Sequence, residues 1–566
     1  MRKTEPEHRR TAGASRTRES TSVQENGLDR RALLGAGAAA GALGLALASC
    51  SPTSDAQQAN PSADADLDAG FPWLEATIDQ LQKAMASGDL SAEELTRGYL
   101  DRIEALDRNG PTLRSVIETN PEAMEIAGAL DQERREGTVR GPLHGMPILL
   151  KDNIATADRM TTTAGSLALE GSVPPEDAFV AAQLRRAGAV LLGKANLSEW
   201  ANIRSTNSSS GWSARGGQCR NPYSLDRNPC GSSSGSGASV AANLCVAAIG
   251  TETNGSIVCP SSANGIVGIK PTLGAVSRSR IVPIAHSQDT AGPMARTVRD
   301  AALVYDALIG VDPADGTTSA ATGKPSVSDL ERGGLEGRRI GVLRSSSGFD
   351  VRVDELMETA LEEMRSAGAE CIDVEYGEGR ALSRASYTVL LCELKSDLAL
   401  YLEGLGDGAP VKTLADVIAF NEANAAREMP YFGQEIFLQA EATEGVEDDA
   451  YAEALATSKR LAREEGIDAL VEEHRLDTIV APTGGPAWVT DLINGDHFSG
   501  GSSSLAAVAG YPNVTVPMGF VHGMPVGLSF FGPAWSEASL LEICFDFEQR
   551  TGHRRPPTYR ARAIDA

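Results

Sequence analysis

The sequence predicts an α/β fold in which a mixed central β-sheet is covered by helices on both faces. Three observations carry that expectation. From Leu74 onward, helical periodicity alternates with short apolar strand-like runs, the pattern that layers helices against a sheet. Hydrophobic residues make up 42% of the 566, enough for a sizeable core. Finally, between Pro229 and Pro260 a Gly/Ser cluster runs without a break into the apolar segment Ala238 to Ile249. A flexible linker joins segments that fold independently, so this cluster belongs to the core instead.

The first segment is not part of that core. Residues 1–28 are polar and lack periodicity, and Arg30 and Arg31 then precede an uncharged Ala/Gly/Leu run ending at Ser49. A paired arginine before a modestly apolar stretch reads as a twin-arginine export signal. The alternative is a membrane anchor, but Ala32 to Ser49 is 18 residues of mostly Ala and Gly, at the short edge of a span. Leu47, Ala48, Ser49 and Cys50 look like a lipoprotein cleavage box, which makes Cys50 the lipidated residue. Residues 51–70 are low-complexity Ser, Ala, Asp, Gln and Pro, as in a tether. The expected organisation is a signal peptide at 1–49, a flexible tether at 50–70 and a folded domain at 71–566. The expected location is the outer face of a bacterial membrane, or the periplasm.

Helical spacing of Ile78, Leu81 and Met85 opens the domain, and Ser91 with Glu94 forms a capping box for a second helix to about Leu106. Strands are expected at Leu113–Glu118, Met146–Leu150 and Ala189–Leu192, with helices at Glu122–Glu136 and Ala178–Ala187. The run Ala238–Ile249 reads as a buried helix, and Thr297–Leu308 as another. Asp312–Gly334 reads as a loop, followed by strand Arg339–Leu343, helix Leu356–Ala367, strand Cys371–Val374 and a helical block from Ala381 to His474. Strands at Thr478–Ala481, Asn513–Val516 and Val526–Phe530 and helices near Ser504–Val508 and Ser536–Gln549 close the chain.

Lys151 ends the apolar run Met146 to Leu150. A lysine there either snorkels from a strand end or is held where water is scarce. In the second case desolvation lowers its pKa, and a neutral amine is a competent general base near neutral pH. Serine hydroxyls are weak nucleophiles until a base takes the proton. Ser232, Ser233, Ser234 and Ser236 sit among glycines, and Ser256 is glycine-flanked downstream, so these residues with Lys151 suggest nucleophilic acyl transfer.

Lys151 in GMPILLKDN, Ser232 in PCGSSSGSG, Ser256 in TETNGSIVCP and the following GIVGIKPT resemble the amidase signature enzymes, with 24 positions between the two motif serines. The likeness is close to bacterial peptide amidases and runs from about residue 75 onward. It implies the amidase signature fold for 71–566, and a Ser-Ser-Lys triad: Ser256 as nucleophile, Ser232 as bridging serine on a non-proline cis peptide, and neutral Lys151 as final proton acceptor. It implies an oxyanion hole from the backbone N–H groups of Thr253, Asn254, Gly255 and Ser256, although the family more often has glycine or aspartate at the Asn254 position. Thr206 to Ser210 would border the pocket, and AFNEANAAREMPYFGQ (Ala419 to Gln434) resembles the peptide amidase subgroup.

The implied activity is hydrolysis of carboxamides, with C-terminal amides of peptides favoured, through an acyl-serine intermediate that releases ammonia. The substrate is a small-molecule or peptide amide, and no metal or organic cofactor is implied. Alternatives are a general aliphatic or aryl amidase, the glutaminase-like subunit of a tRNA-dependent amidotransferase, and a non-catalytic binding lipoprotein. An export signal argues against the amidotransferase, whose tRNA is cytoplasmic.

Several patterns lead elsewhere. Gly188 to Lys194 matches GxxxxGK, but its middle residues are Ala, Val, Leu and Leu, and Ala195 replaces the Ser/Thr that holds magnesium. Gly231 to Gly235 matches G-x-S-x-G around Ser233 without a preceding strand. His144, His286, His474, His497 and His522 lack metal-ligand spacing. A Ser-His-Asp hydrolase is not excluded by spacing alone. Besides Cys50 the cysteines are 219, 230, 245, 259, 371, 392 and 544, an odd number that reads as buried thiols, with Cys219 and Cys230 the one candidate pair. Residues 1–49 hold eight Lys/Arg and five Asp/Glu, so the rest holds 43 against 71, a net charge of −28. That balance disfavours nucleic acid and anionic lipid as partners, leaving the N-terminal lipid as the expected membrane contact.

Overall fold

A computed structural model describes residues 70–321, 330–406 and 409–563. The export signal, Cys50 and nearly all of the tether lie outside the described residues.

Eleven strands form one mixed sheet. In chain order they are β1 (Val116–Thr119), β2 (Pro147–Lys151), β3 (Val190–Ala195), β4 (Ala247–Glu252), β5 (Val267–Lys270), β6 (Thr290–Ala295), β7 (Arg339–Leu343), β8 (Glu370–Val374), β9 (Thr478–Pro482), β10 (Asn513–Val521) and β11 (Met524–Phe531). Across the sheet the order is β1, β3, β2, β4, β6, β5, β10, β11, β9, β7, β8. Parallel pairing holds β2 between β3 and β4, and β7 between β8 and β9. The other neighbours are antiparallel. Every residue of β2, β3 and β4 is buried, as in a parallel segment with helices on both faces.

The predicted helices form where their periodicity places them. Ile78, Leu81 and Met85 are the buried face of Ile78–Ser87, and the Ser91–Glu94 capping box starts Ala92–Arg102. Ala123–Arg135, Phe179–Arg186, Val298–Leu308, Val351–Ser366 and Glu537–Thr551 follow the same rule. The block from 381 is helical, led by the 26-residue Gly379–Gly404. Leu394, Leu398 and Leu402 of that helix pack with Leu414, Val417, Phe437 and Trp200 in a core of their own.

One element departs from expectation. The run Ala238–Ile249 is not a single helix: α1 (Ser234–Ala241) stops, Asn243 turns the chain with φ of 55°, and β4 begins at Ala247. A largely apolar run carries little period to separate helix from strand, and the left-handed asparagine marks the break. Strands β5 and β6 were also unanticipated. Asp312–Gly334 is loop-like where described, except for a short 3-10 turn at Gly316–Ala321.

Candidate active site

The C-terminal ends of the parallel strands β2 and β4 meet the start of α1, and the chemistry gathers there. Lys151, the last residue of β2, is fully buried. Its Nζ lies 2.7 Å from Ser232 Oγ, 2.9 Å from Thr251 Oγ1 and 3.2 Å from the Thr251 carbonyl oxygen. Burial pushes the amine down to about 7, against the opposing pull of the Asp289 and Glu252 carboxylates. Asn153 Nδ2 donates to Thr251 Oγ1 at 3.0 Å, which fixes the hydroxyl that Lys151 meets.

The Gly/Ser cluster is packed, as its continuity with the core requires. The Gly231–Ser232 peptide bond is cis and Ser232 is fully buried. The neighbouring hydroxyls are committed to backbone: Ser233 Oγ donates to Thr251 O at 3.1 Å, Ser234 Oγ to Cys230 O at 2.6 Å and Ser236 Oγ to Ile249 O at 3.2 Å. Only Ser232 of this set faces the lysine. A Cβ at Gly235 would overlap the Ser115 carbonyl oxygen and the Asn196 backbone, so the glycine permits the close crossing of α1 over β3.

Ser256 sits between β4 and the short helix α2 (Val258–Ala263), with a relative exposure of 9%. Its carbonyl oxygen accepts from Ser233 N–H at 3.1 Å, bringing it beside Ser232. No hydrogen bond joins its hydroxyl to Ser232 among the described residues. The turn before it is organised by Glu252, a buried carboxylate that accepts from the N–H groups of Gly255, Ile257 and Val258 at 2.8, 2.8 and 3.1 Å. Gly255, expected in the oxyanion hole, therefore has its N–H committed to Glu252. The N–H groups of Thr253, Asn254 and Ser256 meet no such acceptor among the described residues.

A cleft of about 390 Å³ opens over Gly231, Asn254 and Gly255. Thr206, Ser208 and Ser210 line it, as the resemblance implied, opposite Trp488, Asp496 and Phe498. Asp496 accepts from Ser210 N–H at 3.0 Å and Trp488 Nε1–H at 3.1 Å, so it ties the two walls together; burial pushes its carboxyl up. Behind the Thr206 wall, buried Arg204 pairs with Glu199 at 2.6 Å and donates to the Glu428 carbonyl oxygen at 2.6 Å. Its guanidinium lies over Phe432, so the Ala419–Gln434 segment is anchored to the cleft wall.

A larger cavity of about 540 Å³ reaches Asn153, Thr251 and Thr253 from the other side, with His286 and Asp397 on its lining. His286, Glu393 and Asp397 bring ligand atoms within 4.8 Å of one another. These atoms are already engaged: His286 Nδ1 with Asp397 at 3.0 Å, and Glu393 with the Tyr451 hydroxyl at 2.7 Å and Ser287 N–H at 2.9 Å. Lys194 of the GxxxxGK match is buried in β3 and donates to Ile154 O and Thr162 Oγ1, both at 2.7 Å. His144 Nε2 meets Leu130 O at 2.9 Å, inside the fold.

The cysteines depart from expectation. Cys230 is bonded to Cys259, while Cys219 is a free, buried thiol. A separation of 29 residues hides the pair in sequence, and the turn at Ser256 brings their Cα atoms to 6.0 Å. Sequence reasoning also missed Thr251 and Glu252, although they are the first two residues of the quoted TETNGSIVCP motif. Trp488, Asp496 and Phe498 come from a distant loop with no local signal.

Residues 94–541 match the family model described as Amidase. A probable amidase of Arabidopsis thaliana is 44% identical over 504 residues, 88% of this chain and 94% of the relative. The structure of native peptide amidase from Stenotrophomonas maltophilia is 52% identical, with a TM-score of 0.83 over 86% of this chain and 99% of that one. A peptide amidase in complex with the competitive inhibitor chymostatin is 53% identical, with a TM-score of 0.84 over 86% and 100%.

Proposed function

Since the chain belongs to the amidase family and is an enzyme that hydrolyses amide bonds, we propose that it deamidates the C-termini of peptides through a Ser256–Ser232–Lys151 triad. The observation that carries the triad is the buried Lys151 amine 2.7 Å from Ser232 Oγ. A neutral amine has two N–H bonds and one lone pair. The two donors suit the Thr251 carbonyl and hydroxyl oxygens, which leaves the lone pair for the Ser232 proton.

Ser256 Oγ then attacks the amide carbon while its proton passes to Ser232 Oγ, whose own proton moves to Lys151. Contacts of this kind often tighten only when substrate is bound, which accommodates the open Ser256 hydroxyl. The developing oxyanion is met by N–H groups of Thr253, Asn254 and Ser256, where one donor is typically worth about 2.7–4 kcal/mol of barrier. Breaking the C–N bond returns the relayed proton to nitrogen, and ammonia leaves. Water, deprotonated by the same relay, releases the acid from Ser256.

Peptide substrates are supported by the 52% and 53% identity to peptide amidases and by the cleft itself. Its Ser and Thr hydroxyls suit backbone amides, Trp488 and Phe498 suit side chains, and the Asp496 carboxylate disfavours a free C-terminal carboxylate. Export and lipidation at Cys50 complete the proposal, supported by Arg30, Arg31 and the Leu47–Cys50 box. The test is ammonia release from peptide C-terminal amides, simple aliphatic amides and glutamine, by wild type and Ser256→Ala. Release from peptide amides that vanishes in the variant is expected. Turnover of glutamine or simple amides alone would overturn the substrate class and leave the triad.

A further inference from the structure

We propose that the Cys230–Cys259 disulfide is a positioning element of the catalytic centre, holding Ser232 and Ser256 in register, and that a dithiol entering the cleft converts the enzyme to a slow form. The proposal rests on the acyl-Ser256 reading above. Cys230 lies two residues before Ser232, and Cys259 lies three residues after Ser256, so the bridge clamps the two serine segments directly. Those segments belong to opposite ends of the α1–β4 unit, and no strand pairing joins them.

Other ties hold each segment to its surroundings: Glu252 accepts from the N–H groups of Gly255, Ile257 and Val258, Ser503 Oγ donates to Asn254 Oδ1 at 2.7 Å, and Ser233 Oγ donates to Thr251 O at 3.1 Å. Ser233 N–H donates to Ser256 O at 3.1 Å, and Asn264 Nδ2 donates to Pro229 O at 2.9 Å. Those bonds keep the fold closed without the bridge. Glu252 fixes the Gly255–Val258 turn to the end of β4, whereas the bridge ties Cys259 covalently to the Ser232 segment, and a displacement of 1 Å in a reacting group can cost about 100-fold in rate. Both cysteines line the cleft beside Gly231, Asn254 and Gly255, and Cys259 is partly exposed. The other cysteines among the described residues are free, and Cys219, Cys245, Cys392 and Cys544 are buried.

In the reduction, a thiolate of the dithiol attacks one sulfur of the bridge and the Cys–Cys bond breaks. The second thiol then displaces that cysteine, giving two cysteine thiols and a cyclic disulfide. Two electrons and two protons pass from the reagent to the protein.

The experiment treats the folded full chain with dithiothreitol, then follows thiol titre, far-UV circular dichroism, and kcat and KM on a peptide amide. Two additional thiols, an unchanged spectrum, kcat lower by about tenfold or more and KM within about twofold are expected, with recovery on adding glutathione disulfide. The Cys230→Ser/Cys259→Ser double variant should show the slow rate from the start and no response to the dithiol. Equal kcat before and after reduction, or a double variant at the wild-type rate, would overturn the bridge's role alone. Failure to reduce the bridge in the folded protein would overturn access from the cleft. An oxidised wild type without turnover on peptide amides would instead count against the substrate reading.

Discussion

Lys151, the proposed base, shows how burial turns an ordinary side chain into a candidate proton acceptor. Among the described residues no carboxylate forms an ion pair with it; it meets two hydroxyl oxygens and a carbonyl, and it is fully buried. With its amine pushed down to about 7, the neutral form grows above that pH. The kcat/KM of peptide-amide hydrolysis should therefore rise through about pH 7 and level off, and a flat profile from pH 5 to 9 would exclude this lysine as base. The same burial has a stability consequence of opposite benefit. Between about 7 and 10.5 the unfolded chain binds a proton that the folded chain does not, so the destabilising contribution of this group is full below that window and fades as pH rises. Lys151→Met should lower kcat on the order of 10⁴-fold or more without lowering Tm at pH 7. A collapse of the circular dichroism spectrum would show that the side chain is needed for folding. All three residues of the proposed triad were singled out in the sequence because each sits in a short, specific motif. Thr251 opens the same TETNGSIVCP motif, but its part was not legible because a threonine at a strand end shows no partner until the fold puts it against the lysine.

At the level of elements, the site depends on backbones that approach more closely than side chains permit. Helix α1 begins with glycines and serines because it crosses β3 where Gly235 faces the Ser115 and Asn196 backbones. Gly235→Ala must push main chain aside and should cost about 3 kcal/mol or more, read as loss of soluble protein or a large drop in Tm. Gly377→Ala, with nothing within 4 Å of its added Cβ, should leave Tm unchanged. If both variants behave alike, the packing account of the cluster fails. Most helices were legible from period and caps, as with Ser91 and Glu94, because those signals are local. The α1 to β4 switch was not, since the run is almost wholly apolar and Asn243 turns the chain. The disulfide was hidden for a related reason: a pairing across a turn is set by tertiary contact, and the spacing of its cysteines carries no signature.

For the whole molecule, two independent observations point to the same compartment. Arg30 and Arg31 with the Leu47–Cys50 box support the proposed export, and a disulfide beside the proposed catalytic serines is favoured where the surroundings are oxidising. Twin-arginine substrates are exported folded, so on the proposed route the chain would assemble its sheet and the proposed triad in the cytoplasm while Cys230 and Cys259 remain thiols, and the bridge would close after transfer. Such an order would keep an amidase slow among cytoplasmic peptides and bring it to full rate outside. Replacing Arg30→Lys and Arg31→Lys together should retain the protein in the cytoplasm, with both thiols open to alkylation and a kcat about tenfold below that of the exported form. Cell fractionation, mass measurement after alkylation and ammonia release on the two pools would read all three. Equal export of the double variant would remove the twin-arginine assignment. A retained protein that already carries the closed bridge would separate the signal from the redox control and leave the disulfide as a purely geometric device.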